Sequence, residues 1–409
     1  MVDMTVHSLV ADDDEISRLL LVNALGKMGH QVLSASDGSE AWKILQEKRV
    51  DLLLTDRRMP MMDGLELCRR IRSENSKHYV YVTLMTGSNE ADGMLEGMAA
   101  GADDFITKPV NTTQLEARLK AAGRIIRLQK DLEERNRKLR DYNAKLGQAY
   151  SVIRRDLKAG AKIQASLMPA TPSIICGIHF DSIFLPSSYL AGDVFSYFRL
   201  DEQYVGFYVI DVAGHGIPAA MLSVTLSKAL SPTNHQESIL KQFMPVPDPP
   251  FYRIINPALA VRSLNERFRA DDETMQYFTM VYGLIDTRTR QAVFTQAGHP
   301  PPVYVPRGGK PELIGEGGFP VGMLPDAQYD EKEVLLGKGD RLFVYSDGIT
   351  ECTNPDKGQF SVERLMELLD MGGTLPLGEL MENIKKSLRR WTGHNDFEDD
   401  ITLLAIEVG

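Results

Sequence analysis

Aspartates recur in this sequence beside short apolar runs, a placement suited to chemistry with phosphate and divalent cations. In the N-terminal third, Asp12 and Asp13 follow HSLVA, Asp56 follows DLLLT, Thr86 closes YVTLMT, and Lys108 follows DDFIT. Carboxylates converging on one rim repel each other, and a hard cation with oxygen ligands relieves that repulsion, so Mg2+ is the natural occupant. A carboxylate beside Mg2+ can attack a phosphoryl group, while Lys108 and the Thr86 hydroxyl hold the transferred oxygens. In the C-terminal half, further aspartates stand at strand ends or starts: Asp193 in AGDVFSY, Asp211 in VIDVAGHG, Asp347 in YSDGIT and Asp399 in DDIT. Carboxylates without Cys or paired His ligands favour Mg2+ or Mn2+ over structural zinc. A bridging carboxylate can hold two such ions about 3.5–4 Å apart, and the pair activates water for in-line attack on phosphorus.

These residues need scaffolds that bring them together. From His7 to about Gly123, apolar runs alternate with helical patterns, as in a doubly wound α/β fold with five parallel strands: HSLVA, QVLSA, DLLLT, YVTLMT and DDFIT. Such folds place their chemistry at the carboxyl ends of the strands, where these acidic residues fall. From Ile174 onward the runs IHFDSIFLP, YVGFYVIDV, FTMVYGLIDT, QAVFTQAG, DRLFVYSDG and DDITLLAIEV are interrupted by helical IPAAMLSVTLSKAL and VERLMELL. An antiparallel sheet system covered by helices, α+β in class, is the economical architecture. Ser231 to Pro250, rich in proline and poor in periodicity, reads as a long loop.

The stretch from about residue 5 to 122 resembles the receiver domain of response regulators in ADDDEISR, LLLTDRRMPMMDG, LMTG and GADDFITKP. The resemblance implies that Asp56 accepts phosphate, that Asp12 and Asp13 bind Mg2+ with the Arg58 carbonyl, and that Thr86 and Phe105 form a switch pair. A histidine kinase or phosphotransfer protein would supply the phosphoryl group.

Between the halves, Ile125, Leu128, Leu132, Leu139, Tyr142, Leu146, Ala149 and Ile153 follow coiled-coil spacing, with Arg135 the polar exception. Two or more chains are expected to associate here, a homodimer in the simplest case. The step from Ile153 to Leu157 has the spacing of a stutter, so the helix has two registers available for signalling. The stretch DLKAGAKIQASLMP resembles the helix that leans on the output domain in related regulators.

The region from about Ser173 to Gly409 resembles the PPM-type protein phosphatases, in their bacterial sporulation and stress-response branch, by AGD, DVAGHGIPAA, QAGHPPP, PVGML, YSDGITE and DDITL. The resemblance implies an antiparallel β-sandwich flanked by helices, with two Mn2+ or Mg2+ ions. Asp211 would bridge them, the Val212 carbonyl would contribute, and Asp193, Asp347 and Asp399 would complete the set, with Asp400 the second choice beside Asp399. Ser196 stands where many relatives carry a second aspartate. His215 lies four residues after Asp211, whereas the catalytic histidine of eukaryotic relatives lies two after, and reads as a loop-structuring residue, with general acid the alternative; His299 reads as a loop-packing one. The implied substrate is a phosphorylated STAS-type anti-sigma factor antagonist.

At 409 residues, with 43% hydrophobic and 25% charged, the chain has the length for several globular units: 1–122, a receiver; 123–170, a coiled-coil linker; 171–409, a phosphatase. Three scattered cysteines fit a reducing cytoplasm. No run is long enough to span a membrane, and a net charge of −10 disfavours direct nucleic-acid binding. The expected protein is a phosphorylation-controlled, metal-dependent serine/threonine phosphatase; its rival is a catalytically weak scaffold that sequesters a partner.

Overall fold

In a computed structural model of the chain, residues 6–74, 78–87, 91–232, 238–244, 251–269, 276–394 and 397–409 are described. Contacts divide the chain into two compact units, Met1–Ala149 and Tyr150–Gly409.

The first unit alternates β1 (His7–Ala11), α1 (Glu15–Lys27), β2 (Gln31–Ala35), α2 (Gly38–Glu47), β3 (Leu52–Asp56), α3 (Gly64–Ser73), β4 (Tyr81–Gly87), α4 (Ala91–Ala99) and β5 (Asp104–Lys108). The strands pair in parallel in the order β2-β1-β3-β4-β5. Each central strand is buried on both faces, so its sequence is a nearly unbroken apolar run. One layer centres on Leu9, Leu53 and Val82, the other on Val10, Leu54 and Met85. The five strands expected from the sequence are those observed.

Helix α5 runs without interruption over Thr112–Ser166. Its first turns pack Leu115, Leu119, Ala122 and Ile126 into the receiver core, and Lys130 pairs with the buried Asp51 at 2.8 Å. The segment 123–170 therefore continues the receiver's last helix and begins no new one. Leu128, Leu132, Leu139, Tyr142, Leu146 and Ile153 are all exposed.

The second unit contains β6 (Ser173–Ile175), β7 (Ile178–Leu185), β8 (Val194–Arg199), β9 (Tyr204–Val212), α6 (Ile217–Ala229), β10 (Lys241–Phe243), β11 (Tyr252–Ile254), α7 (Pro257–Arg267), β12 (Phe278–Asp286), β13 (Gln291–Ala297), β14 (Val303–Val305), β15 (Glu312–Leu313), β16 (Glu331–Leu335), β17 (Arg341–Tyr345), α8 (Asp347–Glu351), α9 (Ser361–Met371), α10 (Leu377–Thr392) and β18 (Ile401–Val408). Two antiparallel sheets, β16-β13-β12-β9-β8 and β15-β14-β17-β18-β7-β6, face each other. Between them lie Phe180, Phe207, Val209, Phe294, Val344 and Leu404. Outside the first sheet, Tyr208 and Ile210 pack against α6 and α7. Outside the second, Phe343 and Leu403 pack against α9 and α10. The result is a helix–sheet–sheet–helix sandwich.

Within the expected loop Ser231–Pro250, the described residues 238–244 include β10, which forms a short hairpin with β11; residues 233–237 and 245–250 lie outside the described set. Strands β6, β8, β10, β11, β14, β15 and β16 and helices α7, α8 and α10 are not among the runs read from the sequence.

Phe207 is fully buried between the sheets. Phe207→Ala is expected to lower unfolding free energy by about 3–5 kcal/mol, read from urea denaturation; a change below about 1 kcal/mol would contradict the packing described.

Candidate active site and receiver site

In the first unit, one oxygen each from Asp12, Asp13 and Asp56 lies within 4.8 Å of the others. Asp12 is fully buried, and its carboxylate accepts from the Ser17 hydroxyl at 2.8 Å and the Asp14 amide at 3.0 Å. Lys108 Nζ donates to Asp12 Oδ2 at 2.8 Å and Asp56 Oδ2 at 2.5 Å. Burial alone would lower the Lys108 pKa, but these two hydrogen bonds and charges raise it. Three carboxylate oxygens within one cation's reach form a donor set that fits a hard divalent ion. Gly64 passes so close to Asp56 that an added Cβ would sit 2.2 Å from its carbonyl oxygen. Arg58 stands in the loop between them.

Thr86 is buried near the end of β4, where it pairs with Thr107. Phe105 is partly buried, and the Arg118 guanidinium of α5 lies 5.1 Å from its ring centroid. Arg118 also pairs with Asp104. The aromatic member of the expected switch pair thus touches α5.

In the second unit, strand parity decides which aspartates meet. Val205, Phe207 and Val209 point between the sheets, so Asp211 does too, at the end of β9. On the same logic Asp193 continues the inward series of Phe195 and Tyr197, and Thr402 that of Leu404 and Ile406. The Thr402 hydroxyl donates to Asp193 Oδ2 at 2.6 Å. Asp193 is 1% exposed; burial, and next the charge of Asp211, push its pKa well up. Burial, then the charges of Asp347 and Asp399, raise Asp211 to about 7. Asp347 is raised by burial, then by Glu351 and Asp399. Asp399 is raised by burial and by Asp400, while His215 pulls it down. The structure therefore brings Asp193, Asp211, Asp347, Asp399 and His215 to one mouth of the sandwich, with Val212 following Asp211.

Asp400 has a different task. Its Oδ1 accepts from the Ser187 amide at 2.7 Å and hydroxyl at 3.0 Å, and its Oδ2 from the Gly192 amide at 2.7 Å. These bonds pin the loop before Asp193 against β18 and leave Asp399 as the more exposed member of the pair. Glycines permit the approach: a Cβ on Gly192 would lie 3.0 Å from the Val212 carbonyl oxygen, and one on Gly348 would lie 2.1 Å from that of Asp400. Among the described residues only the receiver trio meets the 4.8 Å spacing, so the second set is more widely spread. Mutually repelling carboxylates spread beyond one ion's shell fit a pair of cations.

Several residues around this mouth were missed in the sequence. Gln164 of α5 is buried: its Nε2 donates to the Ala191 carbonyl at 2.6 Å and Ser223 Oγ at 3.0 Å, and its Oε1 accepts from the Ala191 amide at 3.0 Å. A lone glutamine on a polar helix gave no signal beyond its place in KIQASL. Thr279, opposite Asp211 in the ladder, bonds Nδ1 of His299 at 2.8 Å. His299 is buried, and burial pulls its pKa down to about 3. Ser196 faces Tyr208 across the β8–β9 ladder.

The two sites define a phosphoacceptor receiver joined to a PPM-type phosphatase domain. The family model described as stage II sporulation protein E (SpoIIE) matches residues 201–409, and that described as response regulator receiver domain matches residues 8–120. The chain belongs to the stage II sporulation protein E family and carries a response regulator receiver domain. It is 27% identical over 255 residues to the phosphoserine phosphatase RsbP of Bacillus subtilis (62% of this chain, 58% of the relative). It is 37% identical over 116 residues to the transcriptional regulatory protein AfsQ1 of Streptomyces coelicolor (28% of this chain, 50% of the relative). The chain thus spans about half the length of the curated relatives it matches. The SiaA-PP2C domain of Pseudomonas aeruginosa superposes with a TM-score of 0.53 at 21% identity, covering 64% of this chain and 99% of that one, a likeness of fold.

Gly348→Ala is expected to destabilise the chain by about 1–3 kcal/mol and to weaken Mn2+ binding, measured by thermal melts and calorimetric titration. Unchanged metal affinity would contradict the close approach of Asp347 to the Asp399–Asp400 corner.

Proposed function

We propose that the C-terminal unit hydrolyses phosphoserine or phosphothreonine in a partner protein, and that phosphorylation of Asp56 sets its rate. The observation that carries this reading is the gathering of aspartates from separate elements at one mouth of the sandwich, where burial and then the charges of Asp347 and Asp399 push Asp211 up. Asp193, Asp211, the Val212 carbonyl, Asp347 and Asp399 would hold two Mn2+ or Mg2+ ions. Divalent cations bound there supply neutralisation of the phosphoryl oxygens and acidify water for attack on phosphorus. The chain's own residues hold this geometry. Asp193, fixed by Thr402, orients Asp211, while Asp400 clamps the 187–192 loop.

In the receiver, Asp12, Asp13 and the Arg58 carbonyl would hold Mg2+ beside Asp56. An Asp56 oxygen would attack the phosphoryl group of a phosphohistidine on a histidine kinase or phosphotransfer protein, forming an acyl phosphate and releasing the histidine. Lys108 and Thr86 would take the new phosphoryl oxygens. Movement of Thr86 toward them frees space for Phe105, whose ring touches Arg118 on α5. In the last turn of the same helix, Gln164 holds Ala191 two residues before Asp193.

The exposed apolar series on α5 supports association with a second copy as a coiled coil. No described helix is long and apolar enough to cross a membrane, in keeping with work in the cytoplasm. The substrate we infer is a phosphorylated STAS-type anti-sigma factor antagonist; the likeness to the phosphoserine phosphatase RsbP supports its chemical class.

Mn2+-dependent phosphate release from a phosphoserine protein is expected to fall at least about a hundredfold in Asp211→Asn; equal release would favour the scaffold reading. Beryllofluoride is expected to change the rate of the intact chain, and Gln164→Leu, which leaves the Ala191 amide and carbonyl without that partner, to abolish the change. A Gln164→Leu chain that responds like wild type would contradict coupling through this contact.

A further inference from the structure

The PVGML motif lies outside the acidic site, yet its backbone is held firmly beside it. Val321 exchanges two backbone hydrogen bonds with Phe278, at 2.8 and 3.1 Å, and Phe278 stands opposite Val212 in the β9–β12 ladder. The buried Asn265 of α7 accepts from the Gly322 amide at 2.7 Å and donates to the carbonyls of Leu324 at 2.8 Å and Pro325 at 3.2 Å. Val321 also shares a buried cluster with Val212, Phe278 and Ala219, which is in the first turn of α6. The loop and the start of α6 rest on one foundation.

What this foundation presents outward is apolar. Phe319 is 52% exposed, Met323 44% and Leu324 40%, while Ile217 and Met221 of α6 are 56% and 53% exposed. GGFPVGMLP, residues 317–325, contains no charged side chain. Large apolar side chains fixed on a rigid backbone and left in water gain nothing for folding, and such patches mark interaction sites. Two strand spacings of about 4.8 Å separate Val321 from Val212, so the rim begins about 10 Å from the acidic mouth. An extended chain advances about 3.3 Å per residue, which brings the third residue or so from a phosphoserine onto the rim.

Building on the phosphatase reading, we propose that Phe319 and Met323 form a specificity rim that receives apolar side chains of the protein substrate about three residues from its phosphoserine. Phosphate chemistry selects the ester, and the rim selects the protein that carries it. Its chemistry fits an apolar flank and offers nothing to an acidic one.

The test uses the full chain with Mn2+ and two phosphoserine peptides that differ only in carrying leucine or serine two to four residues from the phosphoserine on either side. p-Nitrophenyl phosphate, too small to reach the rim, serves as control. The wild type is expected to prefer the leucine peptide at least about tenfold in kcat/KM. Phe319→Ser combined with Met323→Ser should lower that preference below about twofold, with p-nitrophenyl phosphate hydrolysis and the thermal melt unchanged. No preference in the wild type, or one that the double variant keeps, overturns the rim. Failure of the wild type to hydrolyse p-nitrophenyl phosphate contradicts the phosphatase reading instead. Fluorescence anisotropy of the labelled leucine peptide then decides the rim by itself: binding at least about tenfold weaker to the double variant supports it, and equal binding overturns it.

Discussion

Like charges forced together out of water are the constraint on which the C-terminal unit is built. Burial disfavours an ionised carboxylate, and a neighbouring carboxylate disfavours it again. Asp193 and Asp211 meet both conditions, with Asp347 and Asp399 adding their charges from separate elements. Nothing in folding rewards such an arrangement, and the surrounding structure is visibly shaped to tolerate it. Thr402 satisfies Asp193, three donors occupy Asp400, and two glycines remove the side chains that would hold the segments apart. The sandwich supplies the rigidity: the strands bearing Asp211 and preceding Asp347 belong to different sheets, and the shared layer of Phe207, Phe294 and Leu404 fixes their separation.

The receiver solves the same problem differently. Its three carboxylates fall within one ion's reach, and Lys108 already offsets part of their repulsion at 2.8 and 2.5 Å. A single, tightly gathered site with an internal ammonium suits accepting and holding one phosphoryl group. A wider set of carboxylates suits hydrolysis. Between them runs one helix that touches Phe105 through Arg118 near its start and grips Ala191 through Gln164 near its end. In this account the helix is the physical object that both chemistries can bias.

Much of this was legible in the sequence because period and burial coincide. The parallel strands are buried on both faces and read as continuous apolar runs, and β9, β17 and β18 did so for the same reason. The aspartates were found because they stand beside those runs. Strand β8 was not delimited, although Asp193 in AGDVFSY was placed at a strand end or start, where the structure puts it, one residue before Val194. Helix α10 carries buried Leu377, Leu380, Ile384 and Leu388 at helical spacing, a signal present but not used. The roles of Asp400, Gln164 and Thr279 could not be read, because each depends on a partner far along the chain that only the folded sandwich brings near. The beginning of α5 was misplaced for a related reason: buried Leu115 and Leu119 serve the receiver core, while the exposed series downstream serves another surface of the same helix.

The central claim is that the acidic mouth exists to hold cations, and counting bound metal tests it most directly. Mn2+ titration followed by electron paramagnetic resonance should give about three ions per chain, one for the receiver and two for the sandwich, and about one in Asp211→Asn. If Asp211→Asn binds as many ions as the wild type, the carboxylates at that mouth are not metal ligands and the account fails.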